Sequence, residues 1–148
     1  QLADTIVQQV FVHGIFHADP HPGNIIVMND GRIALIDFGM YGEIDRHMQR
    51  QIFWVLLLTA EGKFDEAAKA LIAMAEINEY SDLKGYRREL IRLYDEWSRA
   101  KLSEMSMAKL VLSELKLGGE YNVQFPRGFI LMLRTTITVE SVAQRLFP

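Results

Sequence analysis

The chain has 148 residues, a net charge of −3 and no cysteine. That length suits a single domain, residues 1–148, burying roughly 68–70% of its unfolded surface. The acidic balance gives no sign of a nucleic-acid partner, and the lack of Cys excludes disulfides and thiolate metal sites, as fits a reducing compartment.

Leu2, Ile6 and Val10 recur at helical spacing, which predicts a helix from Leu2 to His13 stopped by Gly14. Ile15 and Phe16 lead into a polar loop, His17-Ala18-Asp19-Pro20-His21-Pro22-Gly23-Asn24, which its two prolines stiffen and keep from being helical. Two apolar tetrapeptides follow, Ile25–Met28 and Ile33–Ile36, around the turn Asn29-Asp30-Gly31-Arg32. This is a hairpin signal. Such a ribbon returns the chain to its starting edge and carries Asp37-Phe38-Gly39 back towards Asp19 and Asn24.

After Gly39, Asp45 reads as an N-cap for a helix over Arg46–Ala60 stopped by Gly62. Its run Ile52–Leu58 is apolar all round, which predicts burial in a helical core; it is too short to span a bilayer, which takes about 20 residues. A helix follows over Asp65–Ala75. Ser81 or Asp82 caps a longer one with a stripe of Leu83, Tyr86, Leu90, Tyr94 and Trp97; its basic residues read as a solvated face because acidic ones interleave with them. Ser103–Leu117 is predicted as a helix closed by Gly118-Gly119. Pro126 suits the start of the last helix, Arg127–Leu146, although Thr135–Val139 is β-branched and reads as strand in isolation. The fold class is therefore mainly α with a small β-hairpin.

The loop and hairpin carry the chemistry. Two carboxylates and an amide oxygen converge, a donor set that suits Mg²⁺ with substrate phosphates completing its shell. The protein-kinase pattern H-x-D-x-x-x-x-N followed by D-F-G uses the first Asp on the nucleophile's proton and the Asn and second Asp on metal. His17, Asp19, Asn24 and Asp37-Phe38-Gly39 match it position for position.

The wording His-Ala-Asp-Pro-His-Pro-Gly-Asn resembles the UbiB (AarF-like) family of atypical kinases, as does the closing stretch from Phe125 to Pro148. The resemblance implies a kinase-like C-terminal lobe in which Asp19 is the catalytic carboxylate, Asn24 and Asp37 bind Mg²⁺, Gly39 belongs to the nucleotide-binding loop, and His17 and His21 complete the family-specific loop. It further implies ATP as substrate, a small-molecule or lipid acceptor, and a part in isoprenoid quinone (ubiquinone) biosynthesis with other proteins of that process. The location it implies is cytoplasmic, at the face of the inner membrane.

Every lysine (63, 69, 84, 101, 109 and 116) follows Asp37, and no Gly-rich phosphate cover precedes the loop. The chain begins at Gln1, close to the loop, so it reads as a piece of a longer protein whose nucleotide-gripping lobe lies elsewhere. Two other readings stay open. His17, Asp19 and His21, with Asp37 as a fourth ligand, form a zinc-hydrolase constellation. A kinase-like scaffold without catalysis is the third.

Overall fold

A computed structural model of the chain describes residues 2–100 and 106–146. The fold is mostly helical, 64% of residues, with small antiparallel ribbons. The chain divides into two compact units over the described residues, one of Gln1–Arg46 with Arg127–Pro148 and one of His47–Pro126.

The first unit opens with α1 (Leu2–Gln8), which widens into a π-helical turn over Gln9–His13 where one α-helix was expected. The wide turn coincides with a non-local bond: Gln9 Oε1 accepts the His17 backbone N–H at 3.0 Å. Gly14, at φ 74°, ends the turn as its residue type predicts. β1 (Ile15–His17) follows, then β2 (Ile25–Val27), β3 (Ile33–Leu35) and β4 (Tyr41–Glu43). β2 and β3 form the expected hairpin, with Ile25 opposite Leu35 and Val27 opposite Ile33. At its tip, Asp30 accepts from the Arg32 N–H and pairs with the Arg32 guanidinium at 2.7 Å.

A second ribbon was not expected: β1 pairs antiparallel with β4, Phe16 opposite Gly42. Three-residue strands separated by a whole hairpin have no local periodicity to betray them. This ribbon closes the base of the hairpin, so both polar loops start from one clamp.

The unit is completed by α6 (Arg127–Leu146), over the expected range. Phe129, Met132, Leu133 and Val142 are buried from it. Its threonines do not break the helix, because their hydroxyls are satisfied within it: Thr135, Thr136 and Thr138 donate to the carbonyls of Leu131, Met132 and Arg134 at 2.9, 3.1 and 3.0 Å. At the other end, a Cβ on Gly128 would collide with the Glu43 carbonyl oxygen, so a residue without a side chain lets the helix sit directly on β4.

The second unit holds α2 (Arg46–Ala60, from His47), α3 (Phe64–Ile72), α4 (Leu83–Arg99) and α5 (Met107–Glu120). The run Ile52–Leu58 is not buried all round: Ile52, Val55 and Thr59 face inward, while Phe53, Trp54 and Leu56 are exposed. One side of a single helix is all that its neighbours cover, and the inward residues repeat at helical spacing accordingly. α3 ends at Ile72 instead of Ala75; tight turns carry the chain to Glu76, which pairs with Gln124. Asp82 caps α4 by accepting from the Gly85 N–H at 2.9 Å. Tyr86, Leu90 and Tyr94 of its stripe are fully buried, and Arg88, Arg92 and Arg99 lie exposed in ion pairs with Glu89, Glu96 and Asp95.

α5 corrects the expected boundary at both ends. Its cap is Ser106, whose Oγ accepts from the Lys109 N–H; Ser103 lies outside the described residues. Gly118 and Gly119 are inside the helix and do not end it. Gly118 is there because Val123 returns against it: the Val123 N–H donates to the Gly118 carbonyl at 2.8 Å, and an added Cβ would lie 2.9 Å from the Val123 oxygen. The reversal comes at Asn122, in the left-handed region with φ 54°.

Facing Tyr86 and Tyr94, α5 buries Glu114, whose Oε1 accepts the Tyr94 hydroxyl at 2.8 Å. Burial pushes the Glu114 carboxyl up to about 7, against an opposing pull from the Tyr94 hydrogen bond. A carboxyl raised on folding favours the folded state in its protonated form. That contribution is complete below the ordinary value of 4.5 and is lost as pH rises through about 7.

Two outcomes follow for stability. Between those pH limits the unfolding free energy of the natural chain should fall by on the order of 3 kcal/mol relative to that of Glu114→Gln, read by urea unfolding at a series of pH values; parallel curves for the two proteins would show that Glu114 ionises freely. Gly128→Ala should cost about 1–3 kcal/mol through overpacking against β4, while an Ala at Gly119, where nothing lies within 4 Å, should cost nothing.

Candidate active site

The site is built on the two loops that the paired ribbons hold side by side. His17, fully buried at the end of β1, is its hub. Its Nδ1 accepts the Asp19 N–H at 3.1 Å, and its Nε2 lies 3.0 Å from the Ile36 carbonyl oxygen. A nitrogen that accepts from an amide carries no proton, so Nε2 is the protonated one and donates to Ile36. One imidazole therefore ties the Asp19 loop to the peptide leading into Asp37. The Phe38 ring packs on it, centroids 4.9 Å apart.

Further bonds draw the loops together. The Ile36 N–H donates to the Asn24 carbonyl at 3.0 Å, and the Ala18 N–H to the Met40 carbonyl at 3.1 Å. Asn24 is buried, and its side-chain Nδ2 donates to the Asp19 carbonyl at 3.1 Å. That bond orients the amide so that Oδ1 is left for another partner. Asp37 is exposed and adopts a left-handed backbone, φ 57°, which Asp tolerates better than most side chains. Its Oδ1 accepts the Gly39 N–H at 3.1 Å, leaving Oδ2 outward. Gly39 sits tight beneath it: a Cβ there would lie 3.0 Å from Oδ1.

His21 caps the single 3-10 turn Pro22–Asn24, its Nδ1 accepting the Gly23 N–H at 3.0 Å. The ring is exposed, and Nε2 is its remaining polar atom. Asp19 is half-buried. From α6, Arg134 brings its Nη2 to 3.9 Å from Asp19 Oδ1, and the buried Thr135 hydroxyl lies 3.4 Å from the His17 carbonyl oxygen.

Direct hydrogen bonds thus join His17, Asp19 and Asn24, and the loop of Asp37 and Gly39 is held to them through the Ile36 and Met40 backbone, with His21 on the rim. It removes the zinc reading. His17 has both ring nitrogens engaged with the backbone, so it has no lone pair for a metal, and no cluster of three His, Asp or Glu side chains fit to hold one occurs among the described residues. The oxygen donors left by Asn24 and Asp37 are of the hard type that Mg²⁺ prefers. Three contributors were missed in the sequence: Gln9, Thr135 and Arg134. Only Arg134 leaves a readable signal, as the single charge in the apolar and β-branched run Phe129–Val139.

No helix among the described residues is long and apolar enough to cross a membrane. Residues 1–71 match the model of the ABC1 atypical kinase-like domain, and residues 91–148 match that of the UbiB helical domain. An uncharacterized Synechocystis protein is 31% identical over 95% of this chain and 24% of its own length. An uncharacterized Mycobacterium tuberculosis protein is 31% identical over 92% of this chain and 28% of its own length. The chloroplastic protein Activity of bc1 complex kinase 1 of Arabidopsis thaliana is 25% identical over 96% of this chain and 21% of its own length. The chain thus spans about a quarter of the length of the curated relatives it matches. No solved structure matches it. With both its loop-bearing and its C-terminal stretches matched to models of one kind of protein, the chain belongs to the ABC1/UbiB family of atypical kinase-like proteins.

Proposed function

We propose that the chain carries the metal- and phosphate-facing part of an ATP- and Mg²⁺-dependent phosphotransfer site, laid out as in the C-terminal lobe of a kinase. The observation that carries this reading is the orientation of the Asn24 amide. Its N–H₂ donates to the Asp19 carbonyl, which leaves its oxygen as an acceptor, and its backbone carbonyl takes the Ile36 N–H that leads into Asp37. Asn24 Oδ1 and the Asp37 carboxylate would hold the ion, which when bound neutralises phosphate charge.

Asp19 is the group that accepts the proton of the incoming hydroxyl or positions a water; the stiff loop and the His17 bond to its amide fix its backbone for that task. Ile26 and Ile36 are exposed, and they supply an apolar bed for a nucleobase beside the phosphates. The acceptor is a small molecule, a lipid or water. For the whole protein we infer kinase or ATPase activity at a membrane face in support of ubiquinone-type quinone biosynthesis.

The test is Mg²⁺-ATP turnover by the full-length protein carrying this chain. Asp19→Asn and Asp37→Ala should each lower kcat by at least about a hundredfold, with Zn²⁺ unable to replace Mg²⁺. Turnover unchanged in both variants would overturn the assignment. The 148-residue chain by itself should show no micromolar Mg²⁺-ATP binding in calorimetry, because its first 62 residues contain no Lys and no Gly-rich loop to grip phosphates; micromolar binding abolished by Asp37→Ala would show that these parts are dispensable.

Peptides should be poor acceptors. Only Met40–Ile44 separate Gly39 from Asp45, and three of those residues are committed to β4, so there is no long segment on which a peptide could dock. Efficient, sequence-specific peptide phosphorylation by the full-length protein would contradict this.

A further inference from the structure

We propose that Arg134 is the phosphate-contacting cation of this site, held in waiting by Asp19 and released to an oxygen of the anionic ligand when it enters. This rests on the phosphotransfer reading above and adds to it a residue from the C-terminal helix.

Charge balance calls for such a group. Asp19 and Asp37 face the place where polyphosphate would sit, and like charges at short range repel. Residues 1–46 and 127–148 contain no lysine. Arg32 is engaged with Asp30 at the far tip of the hairpin. Arg134 is the described cation paired with Asp19.

The geometry of that pair separates a ligand contact from a structural bridge. A committed Arg–carboxylate bond is about 2.7–2.9 Å long and often two-pronged. Here one nitrogen stands at 3.9 Å, with the Arg134 side chain 55% and the Asp19 side chain 30% exposed. A pair so long and so open contributes little to stability. Its partner can therefore be exchanged at small cost. The guanidinium fork also suits phosphate oxygens better than a point charge does.

The mounting, in contrast, is firm. The next residue, Thr135, is fully buried with its hydroxyl between the Leu131 and His17 carbonyls. About two turns earlier, Gly128 lies against the Glu43 backbone. The helix is thus pinned on both sides of the loop clamp, while the Arg134 head remains free to swing.

The experiment is an NMR titration of the 148-residue chain with millimolar Mg²⁺-ATP. It follows the Asn24 Nδ2 and Arg134 Nε–H resonances, the latter assigned by its loss in Arg134→Lys. Both should move with one midpoint. Arg134→Gln should weaken that midpoint roughly tenfold or more, Arg134→Lys should recover part of it, and unchanged Thr135 and Gly128 amide shifts would show that the fold is intact. Asp19→Asn should tighten binding, because the competing carboxylate is gone; a purely structural pair would predict the reverse. If Asn24 responds while Arg134 does not, and Arg134→Gln binds as the natural chain does, this proposal falls and the phosphotransfer reading stands. If neither resonance moves, this proposal falls, and the turnover of the full-length Asp19→Asn and Asp37→Ala variants decides the phosphotransfer reading separately.

Discussion

The first unit depends on one imidazole. His17 takes the Asp19 amide on one nitrogen and gives its proton to the Ile36 carbonyl on the other. Buried backbone groups left without partners are costly, so this bridge fixes two loops at once and fixes them relative to each other. Remove it and the Asp19 loop keeps its prolines but loses its registration on Asp37. The Phe38 ring against the imidazole and the Gln9 oxygen on the His17 N–H exclude other orientations of the strand end. Even the π-helical turn at the start of the chain is tied to this point, since the widened turn is where Gln9 reaches it.

The same region shows how backbone geometry prepares side chains for ligands. Asn24 spends its donor on Asp19 and so presents an acceptor; Asp37 spends one oxygen on Gly39 and presents the other. Each residue's local bond decides which atom is left for a cation. The left-handed backbone at Asp37 is a strained position for a non-glycine residue, and such positions persist where surrounding bonds over-determine them. Here the Ile36 and Met40 peptides on either side are both held by the first loop.

The second unit follows a different rule. Its centre is a buried carboxyl with two tyrosines, Glu114 facing Tyr94 and Tyr86, with no ion pair to it among the described residues. Without an opposite charge the group is most stable neutral, and the tyrosine hydroxyl still finds its acceptor. Around it the helices pack by their apolar stripes, with ion pairs at the exposed margins of α3, α4 and α5.

What the sequence determined is what short range dictates. Asn-Asp-Gly between two apolar tetrapeptides specifies a hairpin; Ser81 or Asp82 ahead of Leu83 specifies a cap; the spacing of Leu83, Tyr86, Leu90, Tyr94 and Trp97 specifies an apolar stripe. The loop wording carried the family with it. Tertiary structure decided the rest, because each of those features depends on what packs against a segment and not on its own pattern. The β1–β4 ribbon joins segments a hairpin apart. Gly118 stays helical because Val123 comes back to it, where glycine chemistry alone predicts an end. Phe53 and Trp54 lie exposed because a helix apolar on all sides is covered only where neighbours reach it. Arg134 stands beside Asp19 across 115 positions of sequence because Gly128 and Thr135 seat α6 on the loop clamp, and no local pattern records where a helix will be seated.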